Sequence, residues 1–216
     1  MNLASLRGLA LFADGIGFGY AAADEEQLPL HPAEQRATAG MLPQRRRDFA
    51  IGRIAAHRAL AQLGADDGPI LMDGRRPLFP RGLTGSVSHS AGVAVAIAAP
   101  VARARSLGID LELQPLPARA VRLVLGPEEL RCVEQGWCSH SDAFSAKEAA
   151  FKAFDPVLDC GLKTLRQIVV EPAEGGLEAR LASWPELRAL VSICRLPGGV
   201  LAWTALEGAH VARSKY

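Results

Sequence analysis

Two short acidic motifs stand out from otherwise ordinary sequence. Gly108-Ile109-Asp110-Leu111-Glu112 places carboxylates on alternate residues. Phe144-Ser145-Ala146-Lys147-Glu148-Ala149-Ala150-Phe151-Lys152 adds a third carboxylate between two lysines. Three carboxylates can hold a hard divalent cation, and neighbouring lysines can neutralise phosphate. The combination points to phosphoryl chemistry on a small charged substrate.

The spacing says which of these groups can meet. In a strand, alternation puts Asp110 and Glu112 on one face, while Ile109 and Leu111 point into the core. Alone, the pattern reads as an ordinary half-exposed strand with polar residues outward. In a helix over 141–154, Phe144 and Phe151 anchor one apolar stripe, and Glu148 and Lys152 share a flank. Lys147 lies about 100° round the helix from Glu148 and approaches from another side. Ser86-Val87-Ser88-His89-Ser90 is the third element. Its alternation sets the three serines on one face and Val87 and His89 on the other. Hydroxyls and a histidine at a strand end can bind phosphate oxygens. A serine nucleophile with a histidine base is the rival, but no G-x-S-x-G elbow is present.

The elements that must carry these groups follow a repeated grammar. Residues 8–20 read as a strand and turn. Asp14-Gly15-Ile16-Gly17-Phe18-Gly19 lacks the spacing of a nucleotide loop and reads as a turn. Pro43 opens a helix to Leu63, with Gly64 as its stop. Phe49, Ile54 and Leu60 form its buried stripe; Arg45, Arg46, Arg47, Arg53, His57 and Arg58 occupy the other faces. Strands follow at 70–72, 85–88 and 93–98, with a hairpin corner at Ser90-Ala91-Gly92. The stretch 100–106 is a joint. A strand over 107–113, helices near 118–136 and 141–154, and strands at 167–170, 190–194 and 200–205 complete the chain. The expected fold is α+β: two similar halves, 1–104 and 105–216, in pseudo-twofold arrangement. Each is a long helix packed on a small, mainly antiparallel sheet. The halves share element order, not residue identity.

Composition narrows the classes. The chain has 216 residues, 49% of them hydrophobic, enough for a true core. Lys and Arg number 24 against 23 Asp and Glu. That balance argues against a general nucleic-acid binder, so phosphate recognition must come from local clusters. Cys132, Cys138, Cys160 and Cys194 form no C-x-x-C pair and read as thiols of a reducing compartment. Gly8-Leu9-Ala10-Leu11-Phe12 is too short for a signal-peptide core, and no run approaches a membrane span. A cytoplasmic protein without a membrane role is expected.

Taken in order, Gly85-Ser86-Val87-Ser88-His89-Ser90, Gly108-Ile109-Asp110-Leu111-Glu112 and Phe144-Ser145-Ala146-Lys147-Glu148 with Lys152 resemble the signature of 4′-phosphopantetheinyl transferases. Arg47-Asp48-Phe49-Ala50-Ile51-Gly52-Arg53 and Gly74-Arg75-Arg76-Pro77-Leu78-Phe79-Pro80 also resemble the larger, pseudodimeric bacterial class that includes enterobactin-type siderophore enzymes. The resemblance spans about residues 40–155. It implies Mg²⁺-assisted transfer of the 4′-phosphopantetheine arm of coenzyme A to a serine of an apo carrier protein (acyl, peptidyl or aryl), with adenosine 3′,5′-bisphosphate leaving.

Carried over residue by residue, Asp110, Glu112 and Glu148 would hold the metal, and Glu148 would also be the general base. Lys147 and Lys152 would contact the pyrophosphate, and Lys152 would stabilise the leaving group. Ser88, His89, Arg53 and Arg76 would bind the nucleotide end; Arg45, Arg46, Arg47 and Arg75 cluster beside that set. The N-terminal half would hold the nucleotide end, and the C-terminal half the metal and pyrophosphate. The stretch 115–135 is a candidate carrier contact or an ordinary packed helix. A pseudodimer is expected to act as a monomer. Two alternatives remain: a metal-dependent nuclease, which the Lys147-Glu148 order and the net charge of +1 disfavour, and a non-catalytic coenzyme A-binding protein of the same fold.

Overall fold

A computed structural model describes residues 15–25, 29–65, 68–158 and 161–207. Side-chain size alternates along its strands and dictates how the layers stack. In strand β5 (Val93–Pro100), Val93, Val95 and Ile97 face one way and Ala94, Ala96 and Ala98 the other. The alanine face lets a helix approach closely, and the larger residues fill a second layer. β5 is the centre of a three-stranded antiparallel sheet, between β1 (Gly17–Ala22) and β4 (Leu83–Ser90). A short hairpin of β2 (Leu71–Asp73) and β3 (Arg76–Leu78) stands beside it. Helix α1 (Pro32–Ala37) precedes helix α2 (Pro43–Gln62), which covers the alanine face.

The second half repeats this order. Strand β6 (Ser106–Glu112) leads to helices α3 (Ala118–Val124), α4 (Pro127–Glu134) and α5 (His140–Phe154). Strands β7 (Ile168–Ala173), β8 (Gly176–Leu181), β9 (Trp184–Leu196) and β10 (Gly199–Leu206) follow. The sheet order β6-β10-β9-β8-β7 contains the same three-strand unit as β1-β5-β4, extended by one hairpin.

Both long helices sit close because the first strand of each half carries glycine at the crossing. A Cβ on Gly19 would lie 2.0 Å from the Ala55 carbonyl oxygen of α2, and one on Gly108 would lie 1.8 Å from that of Ala149 on α5. The buried face of α5 is accordingly lined with Ala143, Ala146, Ala149, Ala150 and Ala153, closed by Phe154. Phe144 and Phe151, expected to anchor that stripe, are only half-buried. The large rings cannot enter where strand and helix backbones touch.

Three apolar clusters result. One lies between α2 and its sheet and another between α5 and its sheet. The central one joins Phe18, Val95 and Ile97 of the first half to Leu107, Ile109, Leu111 and Leu201 of the second. The edge strands β4 and β6 meet beside this shared core. They run in the same direction at a constant offset of 23 residues, without forming one continuous ladder. Serine hydroxyls stand in for backbone carbonyls. Ser86 Oγ accepts from Ile109 N at 3.2 Å, Ser88 Oγ from Leu111 N at 3.2 Å, and Ser90 Oγ from Leu113 N at 3.1 Å. Each such bond is worth about 1 kcal/mol net.

The α+β class, the paired halves, the Pro43 helix and the β4–β5 hairpin agree with the sequence reading. At the hairpin corner Ala91 and Gly92 both have positive φ, as a two-residue primed turn requires. Gly17 and Gly19 lie in a strand, not in the expected turn; the turn is confined to Gly15, and residues 8–14 lie outside the described residues, as does Cys160. Gly126 and Pro127 break the expected 118–136 helix into α3 and α4. The strand β8 was not foreseen, because its short Gly-Leu-Glu-Ala-Arg-Leu run follows directly on a turn. Among the described residues no helix is long and apolar enough to cross a membrane.

Gly108→Ala should destabilise the protein by about 3 kcal/mol, because the added carbon meets helix backbone that cannot swing aside. An unchanged urea midpoint would show that α5 does not press on β6 as described.

Candidate active site at the seam

On β6 the alternation that buries Ile109 and Leu111 turns Gly108, Asp110 and Glu112 to the face under α5. Helix α5 brings Glu148 and Lys152 to the same place. Lys152 Nζ donates to the Ile109 carbonyl and to Asp110 Oδ1, both at 2.9 Å. Ser88 Oγ donates to Asp110 Oδ1 at 2.9 Å, and Ser90 Oγ donates to Glu112 Oε1 at 3.0 Å. The Gln114 amide adds a 2.9 Å bond to Glu112 Oε1. Burial pushes the Glu148 carboxyl above its ordinary range. Lys152 opposes the shift, and the charges of Asp110 and Glu112 add to it.

Glu148 and Lys152 line a cleft of about 430 Å³ that crosses the seam. Its opposite wall comes from the first half and includes Arg75, Arg76 and Phe79. The Phe79 ring lies flat on Gly85, where a Cβ would be 2.3 Å from the ring. One side of the cleft therefore carries an aromatic wall and two arginines, and the other carries acid–base groups. The cleft suits a ligand with an aromatic or apolar part and several negative charges.

Among the described residues no three His, Cys, Asp or Glu side chains close on one point as a complete cage. Magnesium does not require one: it binds through one or two carboxylates, substrate phosphate oxygens and water. Asp110 and Glu112 each have one oxygen held by hydrogen bonds, leaving the other to a ligand. Among the described residues of the cleft, Asp110, Glu112 and Glu148 share the Lys152 ammonium, and the charges of the two strand carboxylates add to the burial that raises Glu148. This donor set fits a hard cation whose shell a substrate completes.

Other expected site residues lie elsewhere. Lys147 is not in the cleft. Its side chain is 1% exposed and paired at 3.0 Å with Glu129, which is equally buried. Glu129 also accepts from Gly126 N and Val170 N, so the pair ties α5 to α4 and β7. The expected pyrophosphate contact is corrected on this ground: a buried, paired ammonium cannot reach a ligand in the cleft. Arg53 is likewise buried, not on an outer face of α2. It donates to the carbonyls of Ile70 and Leu71 at 2.7 and 3.3 Å and stacks on Phe49. Burial lowers its pKa to about 10. Its nucleotide role is corrected to that of a tie between α2 and the start of β2.

The Ser88 hydroxyl is buried and committed to β6 and Asp110, so its expected nucleotide contact gives way to a role in the seam. His89 is exposed on the opposite face of β4, apart from the cleft lining. Arg76 reaches the cleft rim and pairs with Asp73 at 3.1 Å. In the 115–135 stretch, α3 buries no residue and Leu123 is exposed, whereas Leu125 and Cys132 enter the core.

Sequence reasoning missed Ser90 and Glu129. The alternation already placed Ser90 beside Ser88. Glu129 carried a signal as the third residue of a helix opened by Gly126-Pro127, where a carboxylate caps the chain.

Comparison with known proteins is consistent along the chain. Residues 33–99 match the model of the 4'-phosphopantetheinyl transferase N-terminal domain, and residues 106–191 match that of the 4'-phosphopantetheinyl transferase superfamily. The chain is 36% identical over 198 residues to 4'-phosphopantetheinyl transferase Svp of Streptomyces mobaraensis, covering 87% of this chain and 78% of that protein. It is 31% identical over 188 residues to 4'-phosphopantetheinyl transferase PptT of Mycobacterium tuberculosis, covering 84% and 80%. It is 36% identical over 118 residues to enterobactin synthase component D of Salmonella typhimurium, covering 51% and 49%.

Lys147→Met should lower stability by about 3 kcal/mol, since it strands a buried carboxylate, while leaving the affinity of the cleft for pyrophosphate unchanged. Lost pyrophosphate binding at unchanged stability, by calorimetry and denaturation, would return Lys147 to the ligand site.

Proposed function

The chain belongs to the 4′-phosphopantetheinyl transferase superfamily, and we propose that it moves the phosphopantetheine arm of coenzyme A to a serine of an apo carrier protein. The observation that carries this reading is the convergence of Asp110, Glu112, Glu148 and Lys152 beside a cleft walled by both halves. The cleft matches coenzyme A in kind: Phe79 and its apolar neighbours suit the nucleotide base, and Arg75 and Arg76 suit phosphate. Carriers of siderophore, other nonribosomal-peptide and polyketide assembly are the acceptors to test first.

Glu148 takes the proton of the carrier serine as that oxygen bonds to the pantetheine-side phosphorus. The bond from this phosphorus to the bridging pyrophosphate oxygen breaks, and adenosine 3′,5′-bisphosphate leaves with the electron pair. Lys152, oriented by Ile109 and Asp110, stabilises the charge on the departing phosphate. Asp110 and Glu112 would hold Mg²⁺ together with phosphate oxygens and water, with Glu148 beside them, and the ion would supply Lewis-acid screening of the pyrophosphate. The cleft walls fix the nucleotide, so much of the acceleration comes from positioning.

The raised carboxyl has a consequence for stability. The folded chain holds the Glu148 proton more tightly than the unfolded chain does. The group therefore favours folding below its unfolded pKa, and that contribution is lost as pH rises through its folded pKa.

One variant tests both points. With coenzyme A, Mg²⁺ and an apo carrier, the wild type should add a phosphopantetheine-sized mass to the carrier. Glu148→Gln should slow that gain at least about 100-fold. Without added metal, the same variant should melt above the wild type at neutral pH. No mass gain on any carrier type, or DNA cleavage instead, would overturn the proposed transfer; a Glu148→Gln enzyme of full activity would remove the base.

A further inference from the structure

We propose that Ser88 and Ser90 are positioning residues that aim Asp110 and Glu112 at the divalent cation, so that one half of the molecule orients the metal ligands of the other. The inference rests on the reading that these carboxylates hold the metal. It comes from counting protons. A serine hydroxyl has one proton to donate and lone pairs with which to accept. Ser88 Oγ accepts from Leu111 N, so its proton is free to go to Asp110 Oδ1, at 2.9 Å. Ser90 Oγ accepts from Leu113 N, and its proton goes to Glu112 Oε1, at 3.0 Å.

In both cases the amide and the carboxylate belong to adjacent residues, Asp110 and Leu111 within β6 and Glu112 and Leu113 at its end. Each hydroxyl therefore locks a carboxylate to the main chain beside it. Lys152 and Gln114 N take the same Oδ1 and Oε1. The held oxygen is fixed from two sides, and the second oxygen of each carboxylate remains for a ligand. Hydrogen-bonded partners of this kind set the orientation and basicity of ligating carboxylates.

The fold supplies its own control. Ser86 occupies the same register and accepts from Ile109 N at 3.2 Å, but the preceding residue on β6 is Gly108. Ser86 stitches the seam with no carboxylate to orient. If stitching were all that the serines did, Ser86, Ser88 and Ser90 would be equivalent.

Manganese binding to the full chain with coenzyme A present and no carrier, followed by electron paramagnetic resonance, distinguishes the roles. Ser86→Ala should lower the denaturation midpoint and, at coenzyme A concentrations that saturate each variant because Ser86 also lines the cleft, keep the Mn²⁺ affinity of the wild type. Ser88→Ala and Ser90→Ala should lower the midpoint and also weaken Mn²⁺ about tenfold. Ser90→Thr, which keeps a hydroxyl, should restore the affinity; it also keeps the test decisive should Ser88→Ala fail to fold. Equal Mn²⁺ affinity in Ser86→Ala and Ser90→Ala overturns the proposal while leaving the metal site intact. A wild type that binds no Mn²⁺ overturns the metal reading itself, and the positioning role with it.

Discussion

Two unpaired strand edges meet in the middle of this molecule, and side-chain hydroxyls join them where backbone carbonyls would in a sheet. An unsatisfied amide buried against a core costs more than a hydrogen bond gains. The β6 amides at Ile109 and Leu111 lie beside the shared apolar cluster, so the serines of β4 are a condition for closing it. Because a serine reaches farther than a carbonyl, the strands stay separate sheets. Their side chains remain available on the helix side, where Asp110 and Glu112 emerge. The cleft opens along the same line and takes its walls from both halves.

The two halves match at the level of single contacts. Gly19 and Gly108 each press on a helix carbonyl, Ala55 and Ala149. Three residues on, Arg58 and Lys152 each donate to the carbonyl that follows the glycine, at Tyr20 and Ile109. Glu34 and Glu129 each cap a short helix and accept a distant amide, from Ile70 and Val170. Arg53 and Lys147 sit at equivalent turns, both buried. By the same correspondence, Asp110 matches Ala21 and Glu148 matches Ile54, both core residues of the first half. One half kept apolar packing where the other carries ionisable groups. The chain thus has a pseudo-twofold frame in which Asp110 and Glu148 replace apolar core positions of the other half.

The strand carboxylates, Glu148 and Lys152 were legible because periods of two and of four fix faces within single elements. The pseudo-repeat was visible in element order; its identical pairs, Gly19 with Gly108, Ala55 with Ala149 and Glu34 with Glu129, are too sparse to show before the contacts they make are known. Lys147 and Arg53 were misplaced for one shared reason. Spacing shows that a cation leaves the helix on a given side, but not whether solvent or a carboxylate waits there. The partner of Lys147 lies 18 residues earlier on another helix, and only the packing of α4 against β7 delivers it. The serines were read correctly as one face, but their bonds to β6 were not legible, because the identity of the facing strand is a tertiary fact.

If the hydroxyl seam is what closes the molecule, the amides of Ile109 and Leu111 should behave as core amides even though no strand pairs with them on that side. Native-state hydrogen exchange measures this directly. The account predicts that both exchange only on global unfolding, as slowly as amides inside the β9–β10 ladder. Exchange at the rate of an exposed strand edge, with the rest of β6 still protected, would show that the halves are held by the apolar core alone and that the serines join nothing.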